Sequence, residues 1–316
     1  MGSIKMKQIN FFKFYIILVA ISTMVILASF SLIMMGKLNL GIEFTGGYLI
    51  EVSSDSTINT DILKEKIEKS GLAVSSIQYL DDTRHAQIRL FPVDDPQKKS
   101  DQSSVNNYVL STMSNIIPNI TKSEFIGPSV GETLKFSGSI AFIASLVSIL
   151  LYLLLRFNLI LSISAIISLL HDASVVLLFF LLTKNTFDLN VLAAILAIMG
   201  YSLNDNIVIY DRFRSNCLIH EHESIKSIFN LSINQMLKRT ILTSGVTMLS
   251  VLSLYFIGGV SLKEFSLALI VGIITGTYST IYIASGLAIL FGAQRIVSNA
   301  STQNEDNDYY LKKFSK

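Results

Sequence analysis

Six apolar runs constrain what this chain can fold into. Their approximate limits are 14–35, 136–155, 160–182, 189–210, 240–259 and 265–291. Each holds about 20 residues, the length that an α-helix needs to cross the hydrocarbon core of a bilayer. The chain has 316 residues, of which 51% are hydrophobic and 15% charged, with a mean hydropathy of +0.54, and these values exclude a soluble globular protein. The sequence predicts a polytopic α-helical membrane protein with six transmembrane helices.

The first apolar run has a signal peptide as its alternative interpretation. It is too long for one, and no pair of small residues marks a cleavage site after it. Lys5, Lys7 and Lys13 precede the run. We therefore expect 1–13 to be a cytoplasmic N-terminus and 14–35 to be the first transmembrane helix.

The segment 36–135 differs from the rest, because it holds all four prolines and ten of the 25 Lys and Arg residues. We predict that it is an extracytoplasmic α+β domain with strands at Tyr48–Val52, Ser75–Leu80, His85–Phe91 and Ile120–Ile126, and helices at Thr60–Ser70 and Val105–Ile117. A hairpin turn at Asp81–Arg84 joins the second and third strands. The order βαββαβ is the ferredoxin-like pattern.

The charge distribution predicts the orientation of the bundle. With an even number of spans, both termini lie on one side. Thirteen Lys and Arg residues fall in the predicted cytoplasmic segments, which include the loop 211–239 and the tail 292–316, against only Lys184 and Lys263 in the short outer connections. By the positive-inside rule, we expect both termini to be cytoplasmic and the α+β domain to lie on the opposite side of the membrane.

An acid inside the fourth run is the most informative single residue. Asp205, flanked by Asn204 and Asn206, lies a turn or more inside the apolar zone, before the charged run Asp211–Arg214. A carboxylate there costs roughly 2.5–3.5 kcal/mol by insertion scales, so proton or ion handling is the default explanation. The alternative is an Asp that only hydrogen-bonds to a neighbouring helix.

Three further polar residues accompany Asp205. His171 and Asp172 lie near the middle of the third run, and Arg239 opens the fifth. A buried carboxyl group without a partner holds a proton at neutral pH, and an approaching arginine releases it, so an Asp that alternates between these states carries protons. Each residue also has a structural interpretation: a membrane anchor for Arg239, and helix–helix hydrogen bonds for His171 and Asp172.

Small residues recur every three or four positions in two runs, as expected for tightly packed membrane helices. The sixth run has Ala268, Gly272, Gly276 and Thr280, and the fourth has Ala193, Ala197, Gly200 and Asn204. We expect these stripes to be packing faces, and the outermost one to meet another subunit.

Other kinds of site have no signature in the sequence. Cys217 is the single cysteine, and no phosphate loop, paired-cysteine metal motif, nucleophile elbow or nucleic-acid-binding stripe is present. We expect no metal, no cofactor and no enzymatic activity.

In combination, the motifs resemble the SecF family, the smaller membrane subunits of the SecD–SecF accessory complex of bacterial protein export. The resemblance covers the chain from the first span to the sixth. It is carried by Gly41-Ile-Glu43-Phe44-Thr45-Gly46-Gly47, Gly127-Pro128-Ser-Val-Gly131, His171-Asp172, Gly200–Asp205 continuing to Arg214, and Arg239–Ser244.

The resemblance implies a member of the resistance–nodulation–division superfamily, which couples proton flow to movement of an external domain. It implies SecD as a partner, the SecYEG channel beyond it, YajC and YidC as further candidates, and an unfolded exported polypeptide as substrate. Asp205 would match the family's proton-path aspartate and Arg239 its partner arginine. Glu43 and Ser215 depart from the family pattern, which usually has Asp and often Glu at these positions. The residues leave H⁺ and Na⁺ open as the coupling ion.

Two other functions compete with this interpretation. One is half of a proton-coupled small-molecule or lipid exporter of the same superfamily, although a domain of about 100 residues leaves little room for a substrate funnel. The other is an intramembrane aspartyl protease using Asp172 and Asp205, but the Gly-x-Gly-Asp arrangement of those enzymes is missing.

Overall fold

The chain contains six helices long and apolar enough to span a membrane in the computed structural model, which describes residues 9–80, 83–92, 102–117, 119–220, 222–259 and 262–293. They are α1 (Tyr15–Met34), α5 (Pro128–Arg156), α6 (Leu159–Thr183), α7 (Leu189–Ile219), α8 (Ile225–Ile257) and a sixth span, Lys263–Leu290. The sixth consists of α9 (Lys263–Ser279), a π-helical turn (Thr280–Ala284) and α10 (Ser285–Leu290). The six-span prediction is confirmed, and the chain is a multi-pass membrane protein.

Between α1 and α5 the chain forms a four-stranded antiparallel sheet with helices. The elements are the helical turn α2 (Ile42–Thr45), β1 (Gly47–Ser53), α3 (Thr60–Lys69), β2 (Val74–Tyr79), β3 (His85–Leu90), α4 (Gln102–Ile116) and β4 (Ile120–Ile126). The strand order is β2-β3-β1-β4, with every neighbouring pair antiparallel. This is the ferredoxin-like arrangement, as predicted.

Local sequence explains why these elements form. The Asn59 side chain caps α3 by accepting hydrogen bonds from the backbone N–H groups of Asp61 (3.1 Å) and Ile62 (3.2 Å). Leu63 and Ile67, one turn apart, are buried against the alternating inward residues of β1 and β3. The predicted turn at Asp81–Arg84 includes two residues, 81 and 82, that lie outside the described residues.

The segment 211–239, predicted to be a loop, is largely helical. α7 continues to Ile219 and α8 begins at Ile225. The reason is that the segment buries an apolar face of its own: the Phe213 and Phe229 rings stack with centroids 3.8 Å apart. Asn216 also donates a 2.8 Å hydrogen bond from α7 to Ser232 of α8. Hydropathy finds where a helix can cross a bilayer, not where its backbone stops being helical.

The chain divides into two compact units. The helical unit comprises 9–38, 142–185 and 193–293 of the described residues, and the α+β unit comprises 39–141 and 186–192. The α+β unit therefore includes the first turns of α5 and the connection between α6 and α7. Two helices, α5 and α7, begin with residues of the α+β unit and continue without a break into residues of the helical unit.

A candidate ion site and the glycine-motif junction

Asp172 lies fully buried where α6, α7 and α9 meet. Its Oδ2 accepts a 2.7 Å hydrogen bond from the Ser202 hydroxyl of α7, and its Oδ1 is 3.3 Å from His171 Nδ1. The Ser279 hydroxyl of α9 also lies within hydrogen-bonding reach of this carboxyl group. Side chains from three helices therefore satisfy the acid within the helical unit.

Gly276 makes this close approach possible. A Cβ added there would lie 3.3 Å from the Ser202 side chain and 3.6 Å from Asp172 Oδ2. Gly272, one turn earlier, is packed against the Ile198 side chain in the same way. The small-residue stripe of the sixth span thus faces α7 and the buried acid, in the close packing that such stripes permit.

Asp205 has different surroundings, although it too lies in α7. The residue is 5% exposed, and no hydrogen bond reaches its carboxyl group from the described residues. Arg239 of α8 acts on it electrostatically, but the described part of the chain shows no ion pair between them within 4.0 Å. Asp205 is therefore a buried acid without a fixed partner in this state.

Asn204 and Arg239 lie at the surface of the single chain. Both are exposed, as are Ala193, Ala197 and Gly200 along α7. The four α7 residues, Ala193, Ala197, Gly200 and Asn204, share one stripe, which was predicted to be a packing face and is uncovered in the single chain. A Cβ added at Gly200 would meet nothing within 4 Å. The structure brings Asp172 and His171 together, and leaves Asn204 and Arg239 on an open face beside Asp205.

Among the described residues, several buried polar groups near Asp172 have no hydrogen-bond partner. In the described part of the chain they include both amide atoms of Asn206 and the hydroxyl oxygens of Ser168 and Thr280. Ser168 precedes Asp172 by four residues, Asn206 follows Ser202 by four, and Thr280 follows Gly276 by four. Helical periodicity therefore puts all three about one turn along from the Asp172 contact. Unpaired buried polar groups are costly, so these are positions where water or an ion would be stabilised.

A second hydroxyl network links α7, α8 and α9. The Tyr201 hydroxyl donates a 3.3 Å hydrogen bond to Ser244, whose hydroxyl oxygen is 3.0 Å from that of Thr277. Sequence reasoning missed Ser202, Tyr201, Thr277 and Ser279 as participants. Only their helical spacing from neighbouring polar residues signals them, and that spacing is common among packing residues.

The two glycine motifs meet within the α+β unit. Gly46 and Gly47 have positive φ angles of 71° and 122°, which favour glycine. A Cβ on Gly46 would lie 2.9 Å from Pro128 Cα, and one on Gly131 would lie 2.8 Å from the Gly46 nitrogen. The motif at 41–47 is thus fitted against the start of α5, where the motif at 127–131 begins that helix.

The other motif positions have separate roles in this junction. Phe44 is buried, with its ring stacked 5.8 Å from that of Phe187. Thr45 is exposed, and its hydroxyl donates to the Gly41 carbonyl oxygen (3.2 Å). Gly127 is the one motif glycine here with room to spare, since an added Cβ would lie 3.9 Å from the Phe125 ring. Glu43 is half-buried, and desolvation together with the nearby Asp188 carboxyl raises its pKa.

Fold and site together describe a multi-pass membrane protein with ionisable groups buried in its helix bundle. Two family profiles match the sequence: the C-terminal region of the protein-export membrane proteins SecD/SecF over residues 107–294, and the SecD/SecF GG motif over residues 32–58. The chain belongs to the SecD/SecF family of protein-export membrane proteins.

Individual relatives are similar over nearly the whole chain. The protein translocase subunit SecF of Vibrio alginolyticus is 35% identical over 289 residues, which cover 92% of this chain and 91% of that protein. SecF of Calditerrivibrio nitroreducens is 38% identical over 281 residues, covering 87% and 91%.

Solved structures of SecDF share the fold. A crystal structure of SecDF from Thermus thermophilus, described as a translocon-associated membrane protein, has a TM-score of 0.81 at 29% identity and covers 92% of this chain. A SecDF structure in a super-membrane-facing form has a TM-score of 0.67 at 29% identity and covers 96%. This chain spans only 40% and 41% of those two longer chains.

Proposed function

We propose that this chain is an accessory subunit of the bacterial Sec protein translocase, and that with SecD it uses the proton-motive force to drive late steps of export across the inner membrane. The observation that carries the proposal is Asp205: a carboxyl group buried in the bundle, near a cationic residue, with no hydrogen bond from the described residues. A group held in this way can exchange a proton or bind a cation, whereas Asp172 is already occupied by Ser202, His171 and Ser279.

The open face of α7 supports SecD as the partner. Gly200 and Asn204 are exposed beside Asp205, and Arg239 is exposed on α8. Small and polar residues interact poorly with lipid but pack closely against other helices. A second bundle on this face would enclose Asp205 and Arg239 and complete the site. The similarity to SecDF, in which this chain covers about two fifths of the length, favours a SecD-type bundle.

The remaining partners and the orientation follow from the family. We propose that the complex docks on the SecYEG channel, with YajC and YidC as associated proteins, and acts on the unfolded polypeptide emerging outside. Both termini would be cytoplasmic and the α+β domain periplasmic, as the charge distribution predicts. The proposed coupling ion is H⁺, which ion-flux measurements distinguish from Na⁺, and the proposed role is transport rather than catalysis of a reaction.

A purification experiment tests the proposal. The tagged chain is isolated from gently solubilised membranes, and co-purifying proteins are identified by mass spectrometry, with an unrelated six-span protein as control. SecD and the SecYEG subunits should be enriched, and a strain depleted of the chain should accumulate unexported precursors. Absence of SecD from the purified material, or normal export in the depleted strain, would refute it.

A further inference from the structure

The short connection between α6 and α7 is bound to the α+β domain by its backbone. We call residues Thr186–Asp188 the strap. The Gly41 N–H donates to the Phe187 carbonyl oxygen and the Phe187 N–H donates to the Asn39 carbonyl oxygen, both at 2.8 Å. Leu40 and Phe187 form a parallel β-bridge through these bonds. The strap is thus paired through a single β-bridge with the segment that leads into the first glycine motif.

Side chains hold the strap from both sides. Phe187 is buried and its ring stacks on that of Phe44 at 5.8 Å. Thr186 is fully buried: its hydroxyl oxygen accepts a hydrogen bond from Arg89 of β3, and the hydroxyl donates to Gln78 of β2 at 3.3 Å. Two strands of the sheet therefore fix Thr186, and the first motif fixes Phe187.

Gly41 leaves no space between the strap and the first motif. A Cβ added there would lie 3.0 Å from Asp188 Cβ and 3.2 Å from Asp188 Cα, and would also contact the Glu43 carboxylate. A methyl group at Gly41 would therefore displace the Glu43 carboxylate and require Asp188 to move by a few tenths of an ångström, which loosens the strap.

The strap is continuous with the helix that carries Asp205. Asp188 caps α7, since its Oδ1 accepts a 2.8 Å hydrogen bond from the Val191 N–H. α7 then runs as one helix to Ile219. Asp205 follows Asp188 by 17 positions, about 25 Å along the axis at 1.5 Å per residue. A helix without a break transmits an axial shift along its length.

We propose that the strap is a coupling element: it clamps the start of α7 to the α+β domain, so that a displacement of α7 on ion binding at Asp205 moves that domain with it. This inference rests on the proposed function, because it assumes that Asp205 is the ion carrier. Gly41, Phe44, Thr186 and Phe187 are then positioning residues that act through α7.

A distance measurement between two spin labels tests the coupling. In a Cys217→Ser background, one label is placed at Ser123→Cys on β4 and one at Ser253→Cys on α8. Both residues are exposed. The distance is measured by electron–electron double resonance in lipid, with SecD present, for Asp205 and for Asp205→Asn. With the strap intact, the substitution should shift the distance by at least about 2 Å, the scale of helix displacements in switching proteins.

Strap variants should remove this shift. Gly41→Ala crowds Glu43 and Asp188 and so loosens the strap, and Phe187→Ala removes the stacked ring. The second variant serves if the first folds poorly. Gly245→Ala is the matched control, because a Cβ there meets nothing within 4 Å. We expect the shift to vanish in both strap variants at unchanged protein abundance and to persist in the control. A shift that persists in folded strap variants would refute the coupling role of the strap but would leave the proposal that Asp205 carries the ion intact. No shift even with the strap intact would overturn both proposals.

A disulfide tests whether strap and domain stay together throughout the cycle. Leu40→Cys and Phe187→Cys, combined with Cys217→Ser, place two cysteines on a bridged pair of residues. If the strap remains clamped, the oxidised protein should support export at the same rate as the reduced protein. Export that stops on oxidation and returns with reductant would show that the strap must detach, and would overturn the inference.

Discussion

Asp172 and Asp205 lie in neighbouring helices of one bundle, yet their surroundings differ in every respect that matters for an ion carrier. Asp172 is fully enclosed, with Ser202, His171 and Ser279 around its oxygens. Asp205 receives no hydrogen bond from the described residues and lies beside an open face. A satisfied acid can hold helices together, whereas an unsatisfied one is free to exchange its ligand. On this basis we propose that Asp172 holds the helices together and that Asp205 carries the ion.

The largest expected effect separates the two acids directly. Asp205→Asn removes the titratable group at nearly constant size. Export driven by the proton-motive force should therefore fall to the level of a strain lacking the protein, while the abundance of the variant and its binding to SecD stay normal. Asp172→Asn keeps an oxygen that can accept from Ser202, so export should largely persist while thermal stability falls. Precursor processing in cells and melting in detergent measure the two outcomes. The reverse pattern would exchange the two roles.

Arg239→Lys sharpens the same test. It keeps the positive charge but loses the planar fork, so export should be lower than wild type but above the Asp205→Asn level if a bidentate contact forms during the cycle. An unchanged export rate would show that charge alone is sufficient at this position.

A large side chain on the open face of α7 should act on assembly rather than folding. Gly200→Leu adds volume where nothing lies within 4 Å in the single chain. The isolated protein should therefore melt as the wild type does, while SecD recovery in purification falls sharply. Gly276→Leu, crowding Ser202 and Asp172, should instead lower the melting temperature. Normal SecD recovery with Gly200→Leu would show that this face does not meet SecD.

Asn206 tests whether the region next to Asp205 is hydrated. Both of its buried amide atoms lack protein partners. If water satisfies them, Asn206→Leu should expel it and slow export several-fold at unchanged abundance, because a proton relay loses a step. If the site is dry, the substitution should be neutral or stabilising, since it removes unpaired polar atoms. Export rate and melting temperature, measured together, distinguish the two.

The smallest expected effect is a pH dependence of the strap. Desolvation, together with the nearby Asp188 and Glu124 carboxylates, raises the pKa of Glu43 above its ordinary value of 4.5. Desolvation also raises the pKa of Asp188 above 3.8. The Arg89 guanidinium opposes both shifts. A raised pKa means that the folded protein favours the protonated carboxyl group. The stabilisation that Glu43 and Asp188 give to strap binding is therefore complete below their ordinary pKa values, and it is lost as the pH rises through the raised pKa values.

Hydrogen exchange of the Gly41 and Phe187 amides measures this effect. After correction for intrinsic rates, the amides should be better protected at acidic than at neutral pH, and Glu43→Gln should flatten the dependence. Protection that increases with pH, or that is unaffected by Glu43→Gln, would contradict this sign.

Much of the fold follows from sequence, because helix spans and alternating strands leave local signals. Asn59 followed by Leu63 and Ile67 specifies α3 without any distant information. The packing partners do not follow: Ser202 and Ser279 reach Asp172 only through helix–helix register, which periodicity cannot fix. The contacts of the strap could not be predicted either, because an apolar residue such as Phe187 in a short connection between membrane helices has no local pattern that indicates its distant partners. The separation of Arg239 from Asp205 depends on a side-chain conformation that the sequence does not encode.

Ion flux tests the central claim most directly. The complex of this chain with SecD is reconstituted into liposomes with a pH-sensitive dye inside, and uptake is followed under a proton gradient and, separately, under a sodium gradient with a sodium indicator. To separate the contribution of this subunit from that of SecD, complexes containing the wild type, Asp205→Asn or Asp172→Asn are compared at equal protein amounts, with SecD unchanged. We predict that Asp205→Asn loses the flux of the coupling ion and Asp172→Asn retains it. Wild-type flux with Asp205→Asn, or flux lost only with Asp172→Asn, would contradict the assignment of Asp205 as the carrier.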